Sequence, residues 1–164
     1  MAERTREDSA TVLPATHIDA REEDPEIISR RICNRFHLQV AVLNNRDYDY
    51  ESEAGCEVLS YIAPSFQARF DNIAAIMDWH ELVQMWRVWQ QEDHDVHFEV
   101  VHCSCDVDQA KGEAALYAEI TVTGTLGVML GGLSEAQWKR LPDGRWVNEF
   151  YMGMRGITQN GGFV

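Results

Sequence analysis

The chain is short of positive charge: 14 lysines and arginines stand against 27 aspartates and glutamates, a formal net charge of -13 over 164 residues. That field repels nucleic-acid phosphates and anionic membranes, and no Lys/Arg cluster offsets it, so neither is an expected partner. Long apolar runs are also missing, and nothing approaches the roughly 20 residues that span a bilayer. Met1 to Ser9 lack the apolar core of a secretory signal, and the expectation is a soluble, cytoplasmic protein. Cysteine is sparse. Cys33, Cys56, Cys103 and Cys105 show no framework spacing, and one domain of this length needs no disulfide to hold its core, so reduced thiols are expected.

Several catalytic signatures are absent. Gly124, Gly127, Gly131 and Gly132 lie in sheet-like sequence, not in a phosphate-cradling loop before a helix, so no nucleotide cofactor is expected. There is no Gly-x-Ser-x-Gly elbow. His80-Glu81 lacks the second histidine of a zinc-protease helix. Cys103-Ser-Cys105 has no second cysteine cluster to complete a tetrahedron, and strand alternation sets His102 opposite both sulfurs, so no metal is expected.

What is present is a helical half followed by a sheet-like half. Residues 1–24 are polar without a sustained period and read as a tail, as do 158–164, which leaves one domain over 25–157. From Pro25, Ile28, Ile32, Phe36, Val40 and Leu43 recur at helical spacing up to Asn44-Asn45. Glu57 to Tyr61 can make a short helix before Ala63-Pro64, and Ser65 to Phe70 alternates like a strand. Asp78 and Glu81 make a capping-box pattern for a helix from Trp79 to about Gln91, with Leu82, Met85, Trp86 and Trp89 on its apolar face. Period-two segments follow at about 96–106, 113–125, 128–141 and 145–156. Gln109 to Gly112 and Pro142-Asp143-Gly144 are turns, so the segments should pair as an antiparallel meander that curves over the helices and encloses a pocket.

The residues nominate candidates for that pocket. Glu135, on the first arm of the closing hairpin, is either an exposed carboxylate or an acid in apolar surroundings suited to moving protons. Arg35 and Gln39 lie one turn apart on the edge of the first helix's stripe. Arg35 either snorkels to solvent or reaches inward as an oxyanion stabiliser. His102 shares strand parity with Phe98 and Val100, toward the pocket, as a general acid or base or as a satisfied core group. Arg69 and Asp71 should sit at the rim. Trp86 and Phe98 would wall the cavity, and Tyr117 falls on the face opposite Leu116, Ala118, Ile120 and Val122 unless a bulge re-aims it.

The order of these features, helix, Asn44-Asn-Arg-Asp-Tyr48, Tyr61-Ile-Ala-Pro-Ser-Phe66, a Trp-rich helix, then strands ending in Pro-Asp-Gly-Arg-Trp146, resembles the SnoaL-like branch of the NTF2-like superfamily over residues 25–156. The resemblance implies an α+β cone with a deep pocket, often a homodimer through its sheet. The family includes polyketide cyclases, scytalone dehydratase and cofactor-free isomerases of fungal natural-product pathways. Val100 and Ala118 fall where scytalone dehydratase carries its catalytic histidines, which argues against dehydration by that route. The sequence looks closer to fungal semipinacolase-type isomerases, which use an arginine and a glutamate. Arg35 and Glu135 are the matching residues, and Tyr117 enters as a candidate by that resemblance alone.

The resulting expectation is a cofactor-independent isomerase or cyclase acting on an apolar polycyclic metabolite, with Arg35, Glu135 and His102 as catalytic groups. Gln39, Arg69, Tyr117, Trp86 and Phe98 would bind the substrate. The alternatives are a dehydratase or aldol-type cyclase on the same scaffold, and a non-catalytic binding or dimerisation module.

Overall fold

The computed structural model describes residues 23–124 and 129–155. The expected tails, apart from residues 23 and 24, lie outside the described residues, as do positions 125, 128 and 156 at the ends of expected strands. Three helices, α1 (Pro25–Asn44), α2 (Glu53–Ser60) and α3 (Trp79–Glu92), accompany six strands, β1 (Ile62–Phe70), β2 (Ile73–Met77), β3 (His97–Asp108), β4 (Glu113–Thr123), β5 (Met129–Arg140) and β6 (Trp146–Arg155). The strands form one sheet in the order β2-β1-β6-β5-β4-β3. β1 runs parallel to β6, and every other neighbouring pair is antiparallel.

Local chemistry sets the helix ends. Asp24 accepts from the backbone N–H of Glu26 at 2.9 Å, and Pro25, with no N–H to satisfy, starts α1. Ile28, Ile32 and Phe36 are buried on one stripe. Asp78 and Glu81 form the reciprocal capping box of α3, at 2.9 and 3.0 Å. α2 begins a turn earlier than its apolar residues imply because Ser52 caps Gly55 N–H at 2.9 Å. β1 continues back through Pro64 to Ile62, with its register against β6 shifted between Ile62 and Gln67, where Pro64 has no N–H for the ladder. The β1–β2 pairing had no counterpart in the expected elements.

β3 to β6 form the expected meander. Gly112 (φ 67°) and Gly144 (φ 86°) occupy left-handed positions in its first and last turns, where a Cβ would be strained. Leu116, Ala118 and Ile120 of β4 and Ala136 and Trp138 of β5 are buried on the inner face of the sheet. Asn44, at the end of α1, exchanges two hydrogen bonds with the backbone of Phe98 (2.8 and 2.9 Å) and so ties β3 to the helix.

Candidate functional site

Between α1, α3 and the concave side of the sheet lies a cavity of about 450 Å³. Phe36, Gln39, Val40 and Leu43 line it from α1, at the i, i+3, i+4, i+7 spacing of one helix face. Met85, Trp86 and Trp89 line it from α3, and Phe98, Ile120, Val122 and Ser134 from the strands. Asp71 and Arg155, joined at 3.2 Å, supply the charged side chains among the described lining residues. Both are substantially exposed, which places them at the mouth.

The polar centre of the sheet wall is a pair of hydroxyls. Ser134 Oγ of β5 and Tyr151 Oη of β6 are 2.8 Å apart, and both residues are buried. Tyr151 is packed between Phe70 (5.8 Å between ring centroids) and Trp86 (6.3 Å, edge-on), which fixes where its hydroxyl points. Burial pushes the Tyr151 phenol above its ordinary value, against a smaller downward pull from the Ser134 hydrogen bond. The phenol therefore stays neutral at physiological pH. Two hydroxyls sharing one hydrogen bond retain one O–H for a ligand, so the pair can donate to a carbonyl oxygen and stabilise charge developing there. On the helix wall, Gln39 is 5 % exposed and its Oε1 has no hydrogen-bond partner.

The structure brings some expected site residues together and separates others. Gln39, Trp86 and Phe98 line the cavity, and Asp71 lies at its mouth. Arg35 does not reach it. Its Nη1 donates to the Trp146 carbonyl at 2.9 Å, and the guanidinium lies 5.0 Å from the Tyr61 ring centroid and 6.0 Å from that of Trp138. Trp138 is four residues beyond Ser134, about 13 Å along the strand, so Arg35 serves the hairpin end of the sheet, away from the cavity. Burial there, with Arg31 nearby, lowers its pKa.

Glu135 is a correction of parity. Gly132, Ser134, Ala136 and Trp138 share the inner row of β5, which leaves Glu135 on the outer face opposite Tyr117, with Gln137 Nε2 donating to its Oε1 at 3.2 Å. No Arg35–Glu135 pair forms. His102 is exposed because a bulge between Val100 and His102 adds a residue to β3 and reverses the alternation. Cys103 and Cys105 take the inward, half-buried positions instead. Arg69 and Tyr117 also lie on the outer face, Arg69 exposed beside Met152 and Tyr117 46 % exposed. Asp47 is used structurally: Ser52 Oγ and the backbone N–H groups of Glu51 and Ser52 donate to it, and these bonds, the Ser52 hydroxyl foremost, hold its pKa below the ordinary carboxylate value.

No family model matches the chain, and no curated protein matches it in sequence. Its backbone does have solved counterparts. An NTF2-like protein of unknown function from Pseudomonas putida KT2440 superposes with a TM-score of 0.64 at 10 % identity, over 85 % of this chain and 94 % of that one. A candidate dehydratase of the NTF2-like family from Streptomyces avermitilis gives 0.58 at 11 %, over 82 % and 100 %. ActVI-ORFA from Streptomyces coelicolor gives 0.59 at 9 %, over 77 % and 95 %. The fold is the NTF2-like cone.

Within this NTF2-like cone the sequence reading missed the Ser134–Tyr151 pair. The signal was available for Ser134: Trp138 and Ala136 share its parity, whereas Gln137 and Lys139 share that of Glu135. Tyr151 carries no such signal, because β6 gains a residue near Glu149, where the β5 register moves from Phe150 to Asn148. The described residues contain no group of three or more His, Cys, Asp or Glu placed to hold a metal ion, and none of their helices is long and apolar enough to cross a membrane.

Proposed function

We propose that this protein is a cofactor-independent isomerase or cyclase that holds a neutral, largely apolar polycyclic substrate in its cone. The observation that carries the reading is a hydroxyl pair, Ser134 and Tyr151, buried in an otherwise aromatic and aliphatic cavity. Such a wall confines the substrate in a reactive conformer, while the pair polarises a carbonyl as it gains enolate or alkoxide character. Asp71 is the carboxylate within the lining and is assigned the proton transfer. The Arg–Glu route of semipinacolase-type enzymes is set aside, since Arg35 is held at the hairpin end of the sheet and Glu135 lies on its outer face, both outside the cavity lining. Tyr117 and Leu133, 46 % and 51 % exposed on the outer face, support a homodimer through that surface.

A second reading is retention of an apolar ligand without turnover. Its support is the scarcity of charge in the lining, where Asp71 and Arg155 are engaged with each other.

Native mass spectrometry of the protein with a metabolite extract, followed in time, tests these readings. A captured ligand converted at unchanged mass supports the isomerase. Loss of water identifies a dehydratase instead, and capture without conversion supports the binding reading.

A further inference from the structure

The helix wall of the cavity contains one buried amide whose carbonyl oxygen has no hydrogen-bond partner. Gln39 stands among Phe36, Val40 and Leu43 on the cavity face of α1, is 5 % exposed, and leaves Oε1 without a hydrogen-bond partner. Burying an amide oxygen unpaired is unfavourable, and an apolar residue there would extend the stripe without that cost. A buried group with that penalty and no internal partner fits a contact completed by a ligand. The other buried glutamine, Gln90, shows the contrast: its amide accepts from Tyr48 Oη at 2.6 Å and donates to the Val96 carbonyl at 3.4 Å.

We propose that Gln39 is the specificity-determining contact for a neutral hydrogen-bond donor, a hydroxyl or an N–H group, on the substrate. The inference rests on the cavity being the substrate site, and it adds the chemical class of the ligand. The sheet wall offers the remaining O–H of the Ser134–Tyr151 pair and so takes an acceptor. Gln39 Oε1 on the helix wall takes a donor. A bound substrate therefore carries both, for instance a hydroxyketone framework, and it is uncharged within the cone because the charged lining residues stand at the mouth. A substrate lacking the donor leaves Oε1 unpaired, which is how a polar site rejects a close analogue.

Three saturated probes test this, read by the change in emission of Trp86 and Trp89 in the cavity wall: decalin, 2-decalone, which only accepts, and a 2-decalone bearing an alcohol on its far ring, which also donates. The wild type should bind the hydroxyketone about tenfold more tightly than the plain ketone, as expected for one buried hydrogen bond. Gln39→Met should abolish that difference, leave ketone affinity within about twofold, and melt at the same temperature as the wild type or higher. A hydroxyketone preference that persists in Gln39→Met, or a substantially lower melting temperature for that variant, overturns the assignment of Gln39 while leaving the cavity reading intact. Failure of all three probes to bind the wild type overturns the cavity reading, and this inference with it.

Discussion

Ser134 Oγ and Tyr151 Oη meet at 2.8 Å across adjacent strands, each hydroxyl the other's partner in a wall of aromatic and aliphatic side chains. Removing the phenol oxygen isolates Ser134 and breaks the pair that presents an O–H to a developing oxyanion. Tyr151→Phe keeps the ring between Phe70 and Trp86, so it should cost only about 1 kcal/mol of stability. Turnover of the captured substrate should fall by roughly 10²- to 10³-fold, the scale of losing one oxyanion donor. Paired urea titrations and single-substrate kinetics separate the two effects. A stability loss without a rate loss contradicts the catalytic assignment.

Glu135 and His102 supply the opposite expectation. Both lie outside the cavity on the convex side of the sheet, Glu135 against Gln137 and His102 beyond the β3 bulge. Glu135→Gln and His102→Ala should leave kcat and KM within about twofold of the wild type, and stability within about 0.5 kcal/mol, as for other surface changes. A loss of turnover above tenfold in either variant would place chemistry on the wrong face for the present proposal.

Those two residues also show where sequence reading reached its limit. The α1 stripe, the α3 capping box, both hairpin turns and the α+β order were legible because each depends on local spacing and turn chemistry. Gln39, Trp86 and Phe98 followed from the same periodicities. His102 was misplaced by an irregularity, one extra residue in β3 that reverses its face, and another in β6 hides the alignment of Tyr151 with Ser134. A bulge is set by the partner strand and by curvature, neither of which is written in a strand's own alternation. Glu135 was different, since its parity with Gln137 and Lys139, on the polar row of β5, is visible in the sequence itself.

Alkaline pH should destabilise the fold in a definable window. Burial raises the pKa of Tyr61 and Tyr151, and that of Tyr50, above the value of about 10 expected in the unfolded chain. Burial likewise pushes the Cys105 thiol up to about 12. Each group stays protonated in the folded state after its unfolded counterpart has ionised, so the unfolded state binds fewer protons and stability falls as pH rises. This contribution is intact below about pH 8.5 and declines from there, more steeply past pH 10, until the folded values are reached. Each of the two best-buried tyrosines, Tyr61 and Tyr151, adds a slope of about 1.4 kcal/mol per pH unit between its two values. Urea midpoints from pH 7 to 11 check this, and Tyr61→Phe should flatten the curve above pH 10. A flat profile would be incompatible with these buried phenols.

Gly153 is fixed by the ring that crosses it. It is the register partner of Phe70 on the parallel β1–β6 pair, and a Cβ at this position would stand 2.4 and 2.6 Å from two Phe70 ring carbons. The ring must therefore move, and it is the same ring that buttresses Tyr151 and lines the cavity. Gly153→Ala should destabilise the protein by about 1–3 kcal/mol, the usual cost of overpacking. It should also weaken decalone binding, because displacing Phe70 releases Tyr151 from its position. Replacing Phe70 with Leu in the same chain removes the obstructing ring atoms, so the two changes should be less than additive, with a coupling of at least about 0.5 kcal/mol in a double-mutant cycle. Thermal denaturation of the four proteins reads that coupling. Strict additivity would mean that the alanine methyl group is accommodated elsewhere and that Phe70 does not transmit the contact to Tyr151.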